Sequence, residues 1–131
     1  LPLAVIALDT DHFKTINDHF GHDVGDAVIV SLATLMQQDL RADAALCRSG
    51  GEEFLLLLPG VSGVQAERIA ERLRLRVESH EMGQAGRITI SLGVAHWPGD
   101  ASDLGAVLKQ ADKALYQAKH RGRNCVVVAG A

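Results

Sequence analysis

The sequence is poor in cysteine, with two in 131 residues. Cys47 and Cys125 stand far apart and in no spacing that suits a metal. They read as buried thiols of a reducing compartment, so the cytoplasm is the expected location. Long hydrophobic runs are also missing. Leu3 to Leu8 and Phe54 to Leu58 are the strongest, far short of the ~20 residues that cross a bilayer. No charged-then-apolar leader opens the chain, which excludes a secretory signal from the reading. Nor is there an excess of positive charge: 13 Lys+Arg face 16 Asp+Glu, a formal net charge of -3. A protein that grips nucleic acid by neutralising phosphates is usually basic, so nucleic acid is not an expected partner. Repeats, low-complexity tracts and linkers are absent as well.

What is present is an ordinary globular composition, 47% hydrophobic and 22% charged, unlike that of a disordered or collagen-like chain. The length suits one domain and is too short for two full cores. Leu3 to Leu8 is a buried-strand pattern. A chain opening directly on a strand looks like a piece of a larger protein. Asp11 is a plausible cap for a short helix from about Phe13. Gly21 and Gly25 punctuate the next loop, and Val28, Leu32, Leu35 and Met36 mark a helix from Asp26 to Leu40. Strands follow at Ala45 to Arg48 and Glu53 to Leu58, joined by a turn whose adjacent glycines would supply positive φ.

Ser62 and Gln65 form a capping-box pattern opening an arginine-rich helix, whose charges read as a solvated face. Ile88 to Val94 alternates as a strand, and Trp97 to Asp100 is a turn. Leu104, Val107, Leu108, Ala111 and Leu115 define a last helix to about Lys119, before a strand at Cys125 to Val128. This order predicts an α+β fold, a mixed or antiparallel five-stranded sheet with flanking helices.

Two carboxylate pairs stand at strand ends: Asp9 with Asp11, and Glu52 with Glu53. Each alone has a plainer explanation, as a helix cap or a turn. Together, four converging acids without basic partners would repel one another. A bound Mg²⁺ relieves that repulsion, because hard cations prefer carboxylate and carbonyl oxygens and leave positions for substrate phosphates. His12, His19 and His22 lie nearby and raise zinc as an alternative. The acids suit Mg²⁺ better, and His22 reads as a structural hydrogen-bonding residue.

Arg48-Ser49-Gly50-Gly51-Glu52-Glu53-Phe54 resembles the signature of the GGDEF diguanylate cyclases in its GGEEF form. Asp9 to Asp26 resembles the family's other long motif. Ile90 to Val94, Ala111 to Lys119 and Gly122-Arg123-Asn124 extend the match over essentially the whole chain. The resemblance implies condensation of two GTP into cyclic di-GMP with release of pyrophosphate. It implies a fold similar to nucleotidyl cyclase catalytic and polymerase palm domains. Residues 1–131 are expected to form one such domain, lacking the family's N-terminal helix and turn.

The resemblance also implies roles. Asp9, the Thr10 carbonyl and Glu52 would bind Mg²⁺ (or Mn²⁺), with Glu52 and Glu53 catalytic. Gly50 and Gly51 would let the hairpin backbone approach the nucleotide closely. Asn17 and Asp26 would read guanine, whose N–H donors a carboxylate can accept. Lys14, Lys119 and Arg123 would meet the triphosphate, and Phe13 would lie near the nucleotide in a mainly packing role. The expected partners are GTP, a second copy of the domain, and an upstream sensory or receiver domain.

One departure concerns feedback. The family's product-inhibition site begins Arg-x-x-Asp, and here the four residues are Arg41-Ala42-Asp43-Ala44. Arg41 and Arg72 remain as a degenerate site, so inhibition by cyclic di-GMP is expected to be weak or absent. Three alternatives stay open: a non-enzymatic GTP- or cyclic di-GMP-binding regulatory domain, an inert interaction domain, and a cyclase using ATP.

Overall fold

The computed structural model describes residues 2–99 and 103–130. Five strands form one sheet: β1 Leu3–Thr10, β2 Ala45–Arg48, β3 Glu53–Pro59, β4 Ile90–Trp97 and β5 Val126–Val128. Four helices accompany them: α1 Phe13–Phe20, α2 His22–Gln37, α3 Gly63–Glu78 and α4 Leu104–His120. The strand order is β2-β3-β1-β4-β5. Only β4 and β5 run parallel, and α4 makes the crossover that a parallel pair needs. This is the expected α+β fold with a mixed sheet.

β1 is the central strand, and both its faces are covered. Ala4, Ile6 and Leu8 pack with Leu32 and Met36 of α2 and Leu73 of α3. Val5 and Ala7 pack with Val107, Ala111 and Leu115 of α4. Burial on both sides explains why β1 reads as a continuous apolar run instead of an alternation. β3 alternates: Phe54, Leu56 and Leu58 are buried, while Leu55 and Leu57 are partly covered. Gly93 of β4 lets α4 seat directly on the sheet. A Cβ there would lie 2.2 Å from the Leu115 nitrogen and 2.3 Å from the Ala111 carbonyl oxygen.

Local signals place most element ends. The Ser62–Gln65 capping box is formed in full at the start of α3. Asp103 caps α4 through the Ala106 amide at 2.8 Å. Of the turn expected at Trp97 to Asp100, Asp100 lies outside the described residues. Among the described residues, no helix is long and apolar enough to cross a membrane.

Four local expectations are corrected. Helix α2 begins at His22 rather than Asp26, running through Gly25 because α1 packs on that glycine. Asp11 does not cap α1: His12 is the N-cap, with φ 56° and no side-chain cap bond. Gly50 and Gly51 are not among the residues with positive φ. Cys47 is exposed on the short edge strand and Cys125 is only half-buried.

Candidate active site

The sheet brings the two acidic strand ends together. Asp9 is the register partner of Glu53 across the β1–β3 ladder, on the side facing α4. One residue further, the Thr10 amide donates to the Glu52 carbonyl at 3.2 Å. The end of β1 and the tip of the β2–β3 hairpin are therefore tied by the main chain itself. The tip has its own brace: Arg48 donates to the carbonyls of Gly50 at 3.2 Å and Gly51 at 2.6 Å. A Cβ on Gly51 would meet nothing within 4 Å. No neighbour among the described residues requires that glycine, which leaves room on the tip for a ligand.

The acids have a basic partner, contrary to the repulsion expected from sequence. Lys119, near the end of α4, forms an ion pair with the Asp9 carboxylate. One cation among three acids is not enough. Burial first, and the neighbouring Asp9 charge second, push the Glu52 and Glu53 carboxyls above the usual range. Burial also raises Asp9, against the hydrogen bond and charge of Lys119. Burial works against the Lys119 ammonium, but Asp9, Glu53 and Glu52 outweigh it and hold its pKa up. The second oxygen of Asp9, Oδ1, is buried and has no hydrogen-bond partner among the described residues. An orphaned carboxylate oxygen is costly unless a cation or donor meets it.

A cavity of about 290 Å³ opens at this point. Asp9, Thr10, Phe13, Lys14, Glu52, Lys119 and Arg123 line it, together with Asp11, His12 and Thr15. Seven of the expected site residues thus share one space. Glu53 faces the adjoining cleft with Ser49 and Asp112 under α4. Lys14 is exposed and pairs with Asp18 at 3.1 Å.

Asn17 and Asp26 lie on the neighbouring helix pair. A Cβ on Gly25 would fall 1.8 Å from Asn17 Oδ1 and 3.2 Å from the Phe13 ring, so both side chains press on α2 just before the exposed Asp26. Asn17 Oδ1 is also buried and has no partner among the described residues. Phe13 is partly buried against the core and lines the cavity as well. A larger cavity, about 580 Å³, lies between α3 and β5. Its Arg74 is already bonded to Glu71 and Asn124, so it lacks the unmet groups of the acidic site.

Among the described residues, no three His, Cys, Asp or Glu side chains are arranged to hold a metal alone. The donor set at hand is two carboxylates, Asp9 and Glu52, with the Thr10 carbonyl. That set suits Mg²⁺, which is commonly held by one or two carboxylates together with substrate phosphates. The orphaned Asp9 oxygen fits the same group. His12, His19 and His22 are all exposed, and among the described residues none bonds the His22 side chain.

Arg41, in the α2–β2 connection, and Arg72, on α3, are not among the residues lining the acidic cavity. Arg41 grips Asp43 with two bonds of 3.1 and 3.0 Å. Arg72 holds Asp39 at 2.7 Å.

Sequence reasoning missed three residues. Asp11 lines the same cavity, but its oxygens are already met within the chain: Ser91, Thr89 and Asn124 all donate to it. Arg74 is not solvated but largely covered, with a side-chain exposure of 15%. Arg48 carried a signal in its place just before the glycine pair, but no role was read from it.

The comparisons agree with this geometry. The family model described as "Diguanylate cyclase, GGDEF domain" matches residues 1–125. The response regulator PleD of Caulobacter vibrioides is 44% identical over 131 residues, covering 96% of this chain and 29% of that protein. The probable diguanylate cyclase DgcT of Escherichia coli is 40% identical, over 97% of this chain and 29% of its own length. This chain therefore spans under a third of these relatives. Among solved structures, the active GGEEF domain of a diguanylate cyclase from Vibrio cholerae superposes with a TM-score of 0.93 at 37% identity, over 99% of this chain and 84% of that one. The GGDEF domain of DgcB from Caulobacter crescentus, solved with c-di-GMP, gives 0.91 at 34% identity, over 99% and 79%. By sequence and by structure, the chain belongs to the GGDEF diguanylate cyclase domain family.

Proposed function

We propose that this chain condenses two GTP molecules into cyclic di-GMP and releases two pyrophosphates. The observation that carries the reading is the Asp9 carboxylate, buried with one oxygen unmet, beside Glu52 and Lys119 in one open cavity. Asp9, Glu52 and the Thr10 carbonyl would hold magnesium, or manganese. Magnesium there would supply positive charge where negative charge develops on the α-phosphate.

The chain's own groups do the rest. Lys119, Arg123 and Lys14 line the cavity and offer positive charge to the triphosphate. Lys119 is free to meet phosphate oxygens when the charge of Asp9 is met otherwise. Gly50 and Gly51 leave the hairpin tip bare for the nucleotide to lie against. Glu53, with its carboxyl raised above the ordinary range, suits the uptake of a proton from an attacking 3′-hydroxyl. Glu52 serves both as metal ligand and as a charged neighbour of that reaction. Asn17 and Asp26 take the guanine edge: the exposed Asp26 carboxylate accepts from its N–H groups, while Asn17 Oδ1 is an unused acceptor.

One domain holds one GTP, so a second copy must bring the other face to face. An upstream receiver or sensory domain would control that meeting, and the greater length of the relatives supports this. We place the domain in the cytoplasm, where GTP and magnesium are available. Arg41 and Arg72 form at most a degenerate product site, because aspartates already engage both guanidiniums. Feedback by cyclic di-GMP is accordingly weak.

The test is to incubate the protein with GTP and Mg²⁺ and identify the products by mass. Cyclic di-GMP and pyrophosphate are expected, with the rate rising faster than linearly in protein concentration. Equal turnover of ATP, or binding of GTP with no cyclic product, would contradict the proposal.

A further inference from the structure

Asp11 is only 5% exposed and does not cap α1, and it lines the cavity beside Asp9 with both its oxygens turned to donors of the chain itself. A buried carboxylate persists only when donors meet its oxygens. Here three do. Ser91 Oγ donates to Oδ1 at 2.6 Å, and Thr89 Oγ1 donates to Oδ2 at 2.7 Å. The third donor is the main-chain amide of Asn124, at 2.9 Å. That last bond joins the end of β1 to the turn that follows α4.

The turn is conformationally demanding. Arg123 and Asn124 have φ of 64° and 46°, two successive left-handed residues with no glycine between them. Asparagine tolerates that region, whereas arginine seldom adopts it. Such a backbone persists only where its surroundings over-determine it. They do so here. The Arg123 amide donates to the Ala118 carbonyl at 3.1 Å. The Asn124 side chain donates to Glu78 at 2.5 Å and accepts from Arg74 at 3.0 Å.

What the turn presents is the Arg123 side chain. It lines the same cavity as Asp9 and Glu52. Among the described residues it forms no ion pair and no side-chain hydrogen bond. Its backbone is pinned while its guanidinium is left free.

We propose that Asp11 is a positioning residue: it clamps the Asn124 amide and thereby fixes Arg123 at the mouth of the site, ready for a triphosphate. This rests on the reading of that site as a nucleotide triphosphate site. With its oxygens engaged by Thr89, Ser91 and Asn124, Asp11 acts through the placement of Arg123.

The measurement is the affinity for a non-hydrolysable GTP analogue with Mg²⁺, by calorimetry, in a double-mutant cycle. Asp11→Ala and Arg123→Ala should each weaken binding by about tenfold. The double variant should bind no worse than Arg123→Ala alone, within about twofold. A merely structural role would instead weaken binding again in the Arg123→Ala background. Asn124→Gly keeps the donating amide and adopts positive φ freely, so it should bind within about threefold of the unaltered chain. Asn124→Val resists that conformation and should match Asp11→Ala. If Asp11→Ala fails to fold, Asn124→Val takes its place in the cycle.

Additive losses, or wild-type affinity in Asn124→Val, overturn the clamp. A non-additive cycle in a chain that makes no cyclic di-GMP supports the clamp and overturns the turnover reading. Failure of the unaltered chain to bind the analogue overturns both.

Discussion

The amide of Thr10 and the carbonyl of Glu52 are hydrogen-bonded at 3.2 Å. This one main-chain bond closes the β1–β3 ladder past Asp9 and Glu53 and sets two acidic strand ends side by side. No side-chain choice at position 10 is needed for it.

Lys119 is the cation that holds the acids together without a metal. Replacing it by methionine leaves Asp9, whose side chain is 6% exposed, beside two further carboxylates. Lys119→Met should lower the metal-free melting temperature by about 5 °C. Mg²⁺ should restore most of that loss, because it meets the same charge. Thermal melts with and without Mg²⁺ check this, and a loss that Mg²⁺ cannot repair would count against shared use of Asp9.

The pH dependence follows from the same three acids. Asp9, Glu52 and Glu53 are all raised, by burial first. A carboxyl raised in the folded state stabilises it while protonated. That contribution is full below the unfolded pKa and is lost as pH rises through the folded value. The metal-free domain should therefore be penalised by these groups at neutral pH. Mg²⁺ should raise the melting temperature by about 4 °C near pH 7 and by little near pH 4.5. An equal gain at both pH values would contradict the assignment.

Two glycines are required by close approach. Gly93→Ala would drive a Cβ to 2.2 Å from the backbone of α4, and should cost roughly 3 kcal/mol in urea unfolding. Gly25→Ala would instead strike the Asn17 amide at 1.8 Å. Because a side chain can move, its expected effect is functional. KM for GTP should rise roughly fivefold, with weaker discrimination against ATP. Steady-state kinetics with both nucleotides read this out.

The two thiols should differ in reactivity. Burial first, and the Asp11 charge second, push the Cys125 thiol up, and it donates to the Ala118 carbonyl at 3.4 Å. Cys47 is exposed. A chromogenic disulfide reagent should modify Cys47 at least about tenfold faster than Cys125.

Much of this was legible from local pattern. The doubly covered β1, the alternating β3 and the Ser62 cap each advertise their surroundings within a few residues. The start of α2 was not, because Gly21 and Gly25 read as loop punctuation. Only the packing of Asn17 and Phe13 shows why a glycine belongs inside that helix. Asp11 was misread for a related reason. Its partners lie 78, 80 and 113 residues away, and a cap is the nearest explanation a local reading can find. Arg74 likewise looked solvated until Asn124 was folded against it. Within the site, the meeting of Asp9 with Glu52 could be expected from strand ends and from the resemblance. The Lys119–Asp9 pair could not, since it depends on how α4 crosses the sheet.

The most direct test of the shared acidic site is the rate of cyclic di-GMP formation by Glu52→Gln with saturating GTP and Mg²⁺. The change removes one charge and almost no volume. The account predicts a fall of roughly 10²-fold or more, together with a metal-free melting temperature that is unchanged or higher. Near-normal turnover by Glu52→Gln would contradict it.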